Sequence, residues 1–336
     1  VKGGRIIGEG FHEKYGQAHA ERNALAACTE NPKGATMYVT LEPCCHHGKQ
    51  PPCTDAVIEA GISRVVIGSP DPNPLVSGKG VRILKEAGIQ VSEGLLKSEC
   101  DRLNEIFLHY ITTGTPFVLM KYAMTLDGKI AAYTGKSKWI TGEAAREHAH
   151  SLRRRFSAIM VGTGTVIADD PLLTCRIPGG RNPVRIICDS RLRTPLDSAV
   201  VKTAGDVPTI IATCSGEADK VRLYEDRGCR IIKTPEENGR VSLPCLMKRL
   251  AEEKIDSVLI EGGAALNWSA LESGIVTKVN TYIAPKIFGG ETAKSPVGGA
   301  GVSSPGEAFL LKNGSVRRIG DDFLIESEVD KGCSQE

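Results

Sequence analysis

No apolar run in this 336-residue chain approaches membrane-spanning length, and no charged-then-apolar leader opens it. Neither sign of charge prevails: 42 Lys and Arg against 40 Asp and Glu leave a formal +2, without a basic run. That balance argues against nucleic acid as the main partner and leaves anionic small molecules open. Eleven cysteines, an odd number dispersed along the chain, do not make a disulfide framework. They fit a reducing cytoplasm. Internal repeats, low-complexity segments, a GxGxxG dinucleotide fingerprint and a CxxC pair are all missing. What remains is an ordinary globular composition, 41% hydrophobic and 24% charged, at a length comfortable for two domains.

Against that background His19-Ala20-Glu21, Pro43-Cys44 and Cys53 stand out. One imidazole and two thiols can hold zinc through three protein ligands, leaving a fourth position for water, whose pKa the metal lowers. Glu21, a carboxylate outside the ligand set, can then move protons between that water, the attacked ring and the leaving ammonia. This is the plan of the nucleobase deaminases, with a longer gap between the cysteines, Cys44-x8-Cys53, than in the C-x-x-C form. A structural zinc knuckle uses the same residue types but calls for a fourth protein ligand. Cys45, His46 and His47 read as loop or substrate contacts, because adjacent residues rarely reach one tetrahedral ion together; Cys28 reads as core.

The placement supports that chemistry. His19 to Asn31 is rich in helix formers and free of Pro and Gly, so a helix is expected to open near His19. Thr36 to Leu41 is β-prone, and Pro51-Pro52 precedes a helix from Asp55 to Ala60. Residues two apart on a helix diverge, so His19 and Glu21 can share a site only over the helix start. Two positive helix ends facing one metal would favour thiolates.

Short apolar runs then alternate with helical stretches. Expected strands are Arg64–Gly68 and Ile89–Val91, with helices over Gly78–Ala87 and Ser98–Ile111. Ser69 to Pro74 holds three prolines and is either a rigid turn or a ligand-facing loop at a strand's C-terminal end. Thr112 to Pro116 reads as a linker. Beyond it the expected elements are a strand and turn over Phe117–Ala131, a helix over Glu143–Arg155 and a helix over Leu243–Lys254. Further strands are expected at Ala158–Val161, Val184–Asp189, Thr209–Ala212 and Ser257–Glu261. The opening Val1 to Gly8 reads as the middle of a strand hairpin without an initiator Met, so a preceding segment is expected.

Two glycine turns follow strands in the second half, Val161-Gly162-Thr163-Gly164-Thr165 and Glu261-Gly262-Gly263-Ala264. Glycine allows close backbone approach, and free amides at a helix start hold phosphate. By pattern alone each reads first as an ordinary tight turn and only second as a phosphate site. Arg153, Arg176 and Arg185 are candidate phosphate binders.

The ordered motifs His-Ala-Glu, Thr-Leu-Glu-Pro-Cys, His-His-Gly-Lys-Gln-Pro-Pro-Cys and Asp-Pro-Asn-Pro-Leu-Val closely resemble those of the bifunctional riboflavin-biosynthesis deaminase–reductase family. So do Leu126-Asp-Gly-Lys-Ile-Ala, Ser137-Lys-Trp-Ile-Thr, Val161-Gly-Thr-Gly-Thr and Glu261-Gly-Gly. The resemblance covers nearly the whole chain. It implies an α/β protein with a cytidine-deaminase-like three-layer domain over residues 1–113 and a dihydrofolate-reductase-like domain over residues 117–336. It implies that the first domain hydrolyses the exocyclic amine of a diamino-pyrimidinone carrying a ribosylamino phosphate. The second domain would use NADPH to reduce the ribosyl group to ribityl.

On that resemblance His19, Cys44 and Cys53 hold Zn2+, Glu21 is the proton shuttle, and His46, Lys49, Asp71 and Asn73 contact the pyrimidine or its phosphate. Ala123, Trp139, Thr165, Asp169, Ser190 and the turn Gly263, Ala264, Ala265, Leu266, Asn267, Trp268 and Ser269 fall at cofactor positions. Ser137, Arg153, Leu173, Arg176 and Glu261 fall on the substrate side, and Asp169 is also a candidate for the proton that accompanies hydride. The family has a helix and a strand ahead of Val1, including an Asn-Pro-x-Val-Gly segment near the pyrimidine, and often has Ser at the position of Cys45. The expected partners are small phosphorylated pyrimidines, with no nucleic acid and no membrane, in a cytoplasmic homo-oligomer.

Overall fold

The computed structural model describes residues 1–330 and Gly332 and divides into two compact units, Val1–Thr113 and Gly114 onward. In the first unit β1 (Thr36–Leu41), β2 (Arg64–Ser69) and β3 (Gln90–Glu93) pair in parallel, in that order. Five helices accompany them: α1 (Ala20–Ala26), α2 (Cys53–Glu59), α3 (Lys79–Glu86), α4 (Lys97–Leu103) and α5 (Glu105–Thr113). Helices α2 and α3 are the crossovers between successive parallel strands, and right-handed crossovers place both on one face. There α1 packs on α2 and α2 on α3, whereas α4 lies against β2. The result is three layers around a core of Met37, Val57, Val65, Ile67, Val81, Leu84 and Ile89.

Local chemistry moves several boundaries. The first helix stops at Ala26, because the Thr29 amide turns to the Ile7 carbonyl instead of continuing the spiral. The single helix expected over Ser98–Ile111 is two, α4 and α5, split at Asn104. The side-chain amide of Asn104 donates to the Cys100 carbonyl (2.9 Å), and a side chain that bonds nearby backbone in this way disfavours an uninterrupted helix. The opening hairpin shrinks to one bridge, Lys2 with Arg5.

The second unit is built on nine strands: β4 (Phe117–Thr125), β5 (Ala158–Gly162), β6 (Val184–Cys188), β7 (Thr209–Thr213), β8 (Arg230–Lys233), and, after a two-strand hairpin of β9 (Glu236–Glu237) and β10 (Arg240–Val241), β11 (Ser257–Ile260), β12 (Lys278–Ala284), β13 (Leu311–Ile319) and β14 (Asp322–Val329). The order is β13-β14-β12-β4-β11-β5-β6-β7-β8, parallel from β12 to β8, with β14 antiparallel to β12 and β13 antiparallel to β14. The helices are α6 (Glu143–Arg155), α7 (Thr163–Asp169), α8 (Ala199–Lys202), α9 (Ala218–Glu225), α10 (Leu243–Glu252) and α11 (Ala264–Glu272). Central strands buried on both faces read as unbroken apolar runs. Ala158 and Met160 of β5 belong to one core cluster, Ile159 and Val161 to the other. Strands β5 and β11 are neighbours, so the two glycine turns leave adjacent strands at the same edge. No helix among the described residues is long and apolar enough to cross a membrane.

Candidate active sites

In the first unit three segments meet. His19 is the extended N-cap of α1, outside the helix, while Glu21 lies in its first turn; both can therefore serve one centre over the helix start. Cys44 follows β1, and Cys53 is the first residue of α2. The Nδ1 of His19 lies 3.5 Å from Cys44 Sγ and 3.5 Å from Cys53 Sγ, and all three donor atoms fall within 4.8 Å of one another. Zinc–sulfur and zinc–nitrogen bonds of about 2.3 and 2.0 Å at tetrahedral angles put such donors roughly 3.5 Å apart, so the set fits zinc. Among the described residues the cluster holds three ligands, which is the catalytic rather than the closed structural number.

Electrostatics point the same way. The hydrogen bond from Cys53 holds the Cys44 thiol down to about 5, whereas its bond to Cys44 and burial push the Cys53 thiol up. One proton thus stays on the pair unless a cation lets both sulfurs ionise. Glu21 is buried, and that burial raises its carboxyl above the ordinary range.

Around this centre the expected contacts divide. Among the described residues the buried Nδ1 of His46 has no hydrogen-bond partner, which leaves it open to a ligand. Asp71 accepts from the Asn73 amide (2.8 Å) and Asn73 from the Leu75 amide (3.0 Å), so both carboxamide and carboxylate shape the proline loop. Lys49 rests over the Tyr15 ring at 4.3 Å. Sequence reasoning missed His12, whose ring meets His19 edge-on at 5.2 Å; an isolated histidine in a polar loop gives no signal. It also missed buried Glu42, which accepts from the Gly78 and Val81 amides at the start of α3.

In the second unit the two glycine turns are brought together. The Gly162 amide approaches the Gly262 carbonyl (3.5 Å), and a Cβ on Gly263 would sit 3.2 Å from Thr165 Oγ1. Gly262 and Gly263 have φ of +123° and +96°, which side chains resist. This close cradle at the starts of α7 and α11 suits a dinucleotide's phosphates, and the buried Oδ1 of Asn267 on α11 has no partner among the described residues. Ala264, Ala265, Leu266, Asn267, Trp268 and Ser269 form the first turns of α11. Trp139 is exposed, backed by the Arg146 guanidinium at 4.6 Å. Ser190 accepts from the Val241 amide (3.1 Å). Ala123 is paired with Tyr282, Ser137 is half-buried, and Asp169 is exposed at the end of α7.

The substrate-side set differs from a simple phosphate grip. Arg153 turns its fork to Glu261, Nε to Oε1 at 2.6 Å and Nη2 to Oε2 at 2.9 Å, and gives Nη1 to the Thr174 carbonyl (2.9 Å). Leu173 is buried with φ +54°, while Arg176 is exposed. The side chain that sequence reasoning missed is Lys121 of β4, whose Nζ lies 3.8 Å from Glu261 Oε2. Burial drives its pKa down, opposed by Glu261. A lysine inside an apolar strand run carries no motif. Arg185, a candidate phosphate binder, is instead fully buried, bonded to Thr209 Oγ1 and to the carbonyls of Leu172, Val200, Thr203 and Val207.

Comparison with known proteins agrees with both halves. Residues 1–69 match the cytidine and deoxycytidylate deaminase zinc-binding region, and residues 116–325 match the RibD C-terminal domain. The riboflavin biosynthesis protein RibD of Actinobacillus pleuropneumoniae is 55% identical over 98% of this chain and 88% of its own length. The chain belongs to the RibD family. Among solved structures, RibD of Acinetobacter baumannii matches with a TM-score of 0.86 at 36% identity, covering 98% of this chain and 91% of that one. A Thermotoga maritima protein matches with a TM-score of 0.84 at 41% identity, covering 98% and 90%. It is described as a diaminohydroxyphosphoribosylaminopyrimidine deaminase/5-amino-6-(5-phosphoribosylamino)uracil reductase. The two units accordingly have the cytidine-deaminase-like and dihydrofolate-reductase-like folds of RibD proteins.

Proposed function

We infer that this RibD protein hydrolyses the exocyclic amine of the diamino-ribosylamino-pyrimidinone phosphate in its first unit and reduces the ribosyl group of the aminouracil product in its second. The observation that carries the first half is the three-donor cluster of His19, Cys44 and Cys53 with Glu21 beside it. When bound, zinc lowers the pKa of a water toward neutrality. Glu21 carries the two protons of the attacking water in turn, the first to the ring nitrogen beside the attacked carbon and the second to the leaving amine, so that water plus the C–NH2 bond give C=O and ammonia. Burial suits it to hold each proton between steps. His46, Lys49, Asp71 and Asn73 are assigned to the pyrimidine and its phosphate, the unpartnered His46 Nδ1 being the clearest open group.

For reduction, NADPH supplies the hydride when bound. The Gly263–Ser269 turn with Thr165 is assigned to the cofactor's phosphates, Ala123, Trp139 and Ser190 to its other parts, and Ser137, Leu173, Arg176 and Glu261 to the substrate. Arg153 holds Glu261 in place through the two-point bond. Two groups are candidates for the accompanying proton, Asp169 and Lys121. Lys121 is favoured, because burial lowers its pKa and so the cost of releasing its proton, an effect that Glu261 opposes but does not cancel. We further propose a cytoplasmic homo-oligomer; the exposed strand β13, at the edge of the sheet among the described residues, offers a surface for self-association, and light scattering would read the mass directly.

Glu21→Gln tests the hydrolytic half. Ammonia release should fall about 10^3-fold with zinc content unchanged; equal rates with zinc still bound would remove Glu21 from the mechanism.

A further inference from the structure

The two residues after Glu21 each grip backbone just ahead of a proposed zinc ligand. Asn23 Nδ2 donates to the carbonyl of Ala18 (3.3 Å), which precedes His19, and to that of Phe11 (2.7 Å). Arg22 donates from Nε to the Pro51 carbonyl (3.3 Å) and from Nη2 to the Pro52 carbonyl (2.8 Å), the two residues before Cys53. Prolines have no N–H, so this stretch can be tied down only through its carbonyls. Adjacent donors on one edge of a planar guanidinium fix two successive carbonyls in one orientation, which an ammonium cannot do. From the other side, the Thr54 amide bonds the Cys44 carbonyl (3.2 Å), and the Cys53 amide bonds Cys44 Sγ (3.4 Å).

We propose that Arg22 is a positioning residue of the zinc centre: it locks the entry to α2 onto α1, so that Cys53 Sγ stands at bonding distance from a metal already faced by His19. The proposal rests on the zinc reading of that cluster. Metal ligands must sit within about 0.2 Å of their bond lengths, and a loop carrying two prolines and no regular structure does not hold that tolerance unaided.

The test uses the full chain stripped of metal, titrated with zinc against a chromophoric chelator and with cobalt, whose visible absorption reports a tetrahedral site with thiolate ligands. Arg22→Ala should bind zinc 10- to 100-fold more weakly, roughly the effect of losing an outer-shell partner, and should give a weaker, shifted cobalt spectrum. Arg22→Lys, which keeps the charge and one carbonyl bond, should fall between and covers the case in which the alanine variant does not fold. An Arg22→Ala affinity within twofold of the unmodified chain, with an unchanged spectrum, overturns the proposal; if that variant is unfolded, an Arg22→Lys chain matching the unmodified one does so. An unmodified chain that takes up neither metal overturns the zinc reading, and the positioning role with it.

Discussion

The two centres are built on opposite plans. In the first unit, three candidate ligands and a carboxylate come from His19 to Cys53 and are defined by side-chain chemistry. In the second, the proposed working parts come from Lys121 on β4 to Ser269 on α11 and consist of backbone turns and a buried ion cluster. A metal dictates donor types, so its site shows in a linear sequence. A hydride site needs shape and field, which many residues can supply. The first centre should therefore fail by losing a donor, the second by losing an environment.

The buried cluster offers the largest break in that contrast. Arg153→Met takes from buried Glu261 its two-point partner, leaving only Lys121 at 3.8 Å, and should cost the second unit about 4 kcal/mol in denaturant unfolding. A loss under about 1 kcal/mol, the range of an exposed pair, would show the cluster to be solvated.

Acid probes the same group without mutation. Burial would raise the Glu261 pKa, but Arg153 and Lys121 override it and hold the carboxyl at about 2. A depressed folded value stabilises above the unfolded pKa and is lost as pH falls. About 3 kcal/mol should accordingly disappear between roughly pH 4.5 and pH 2, and an unfolding series across that window should be much flatter in Glu261→Gln.

Lys121→Met should slow NADPH oxidation by about 100-fold at saturating substrate while leaving NADPH affinity, read by fluorescence, within a few-fold. A slower rate caused only by lost cofactor binding would return the proton role to Asp169. The smallest effect belongs to Gly263→Ala. A Cβ at φ +96° and 3.2 Å from Thr165 Oγ1 should weaken NADPH binding about tenfold, with ammonia release unchanged. An unchanged NADPH affinity would move the cofactor's phosphates away from this turn.

The same contrast explains what the sequence made legible. His19, Glu21, Cys44 and Cys53 could be read as one centre because their types admit few other joint uses. Strands β4, β5, β6, β7 and β11 of the second sheet were readable as apolar runs, and α6 by its length. Helix α7 was not, since Thr163-Gly164-Thr165 favours other conformations and its helix rests on packing, with Val166 buried in the core. The break at Asn104 depends on one side chain choosing a carbonyl, and the β13–β14 hairpin on pairing across Gly320 and Asp321. The partnership of Lys121, Arg153 and Glu261 joins three separated elements, and no local pattern announces it.

Two assays on one sample of the full chain, before and after metal is stripped by a chelator, bear most directly on the division of labour. Ammonia release should vanish and return with added zinc, while NADPH oxidation with the deaminated substrate stays at its starting rate. Persistence of ammonia release without metal, or loss of both activities that zinc restores together, would contradict it.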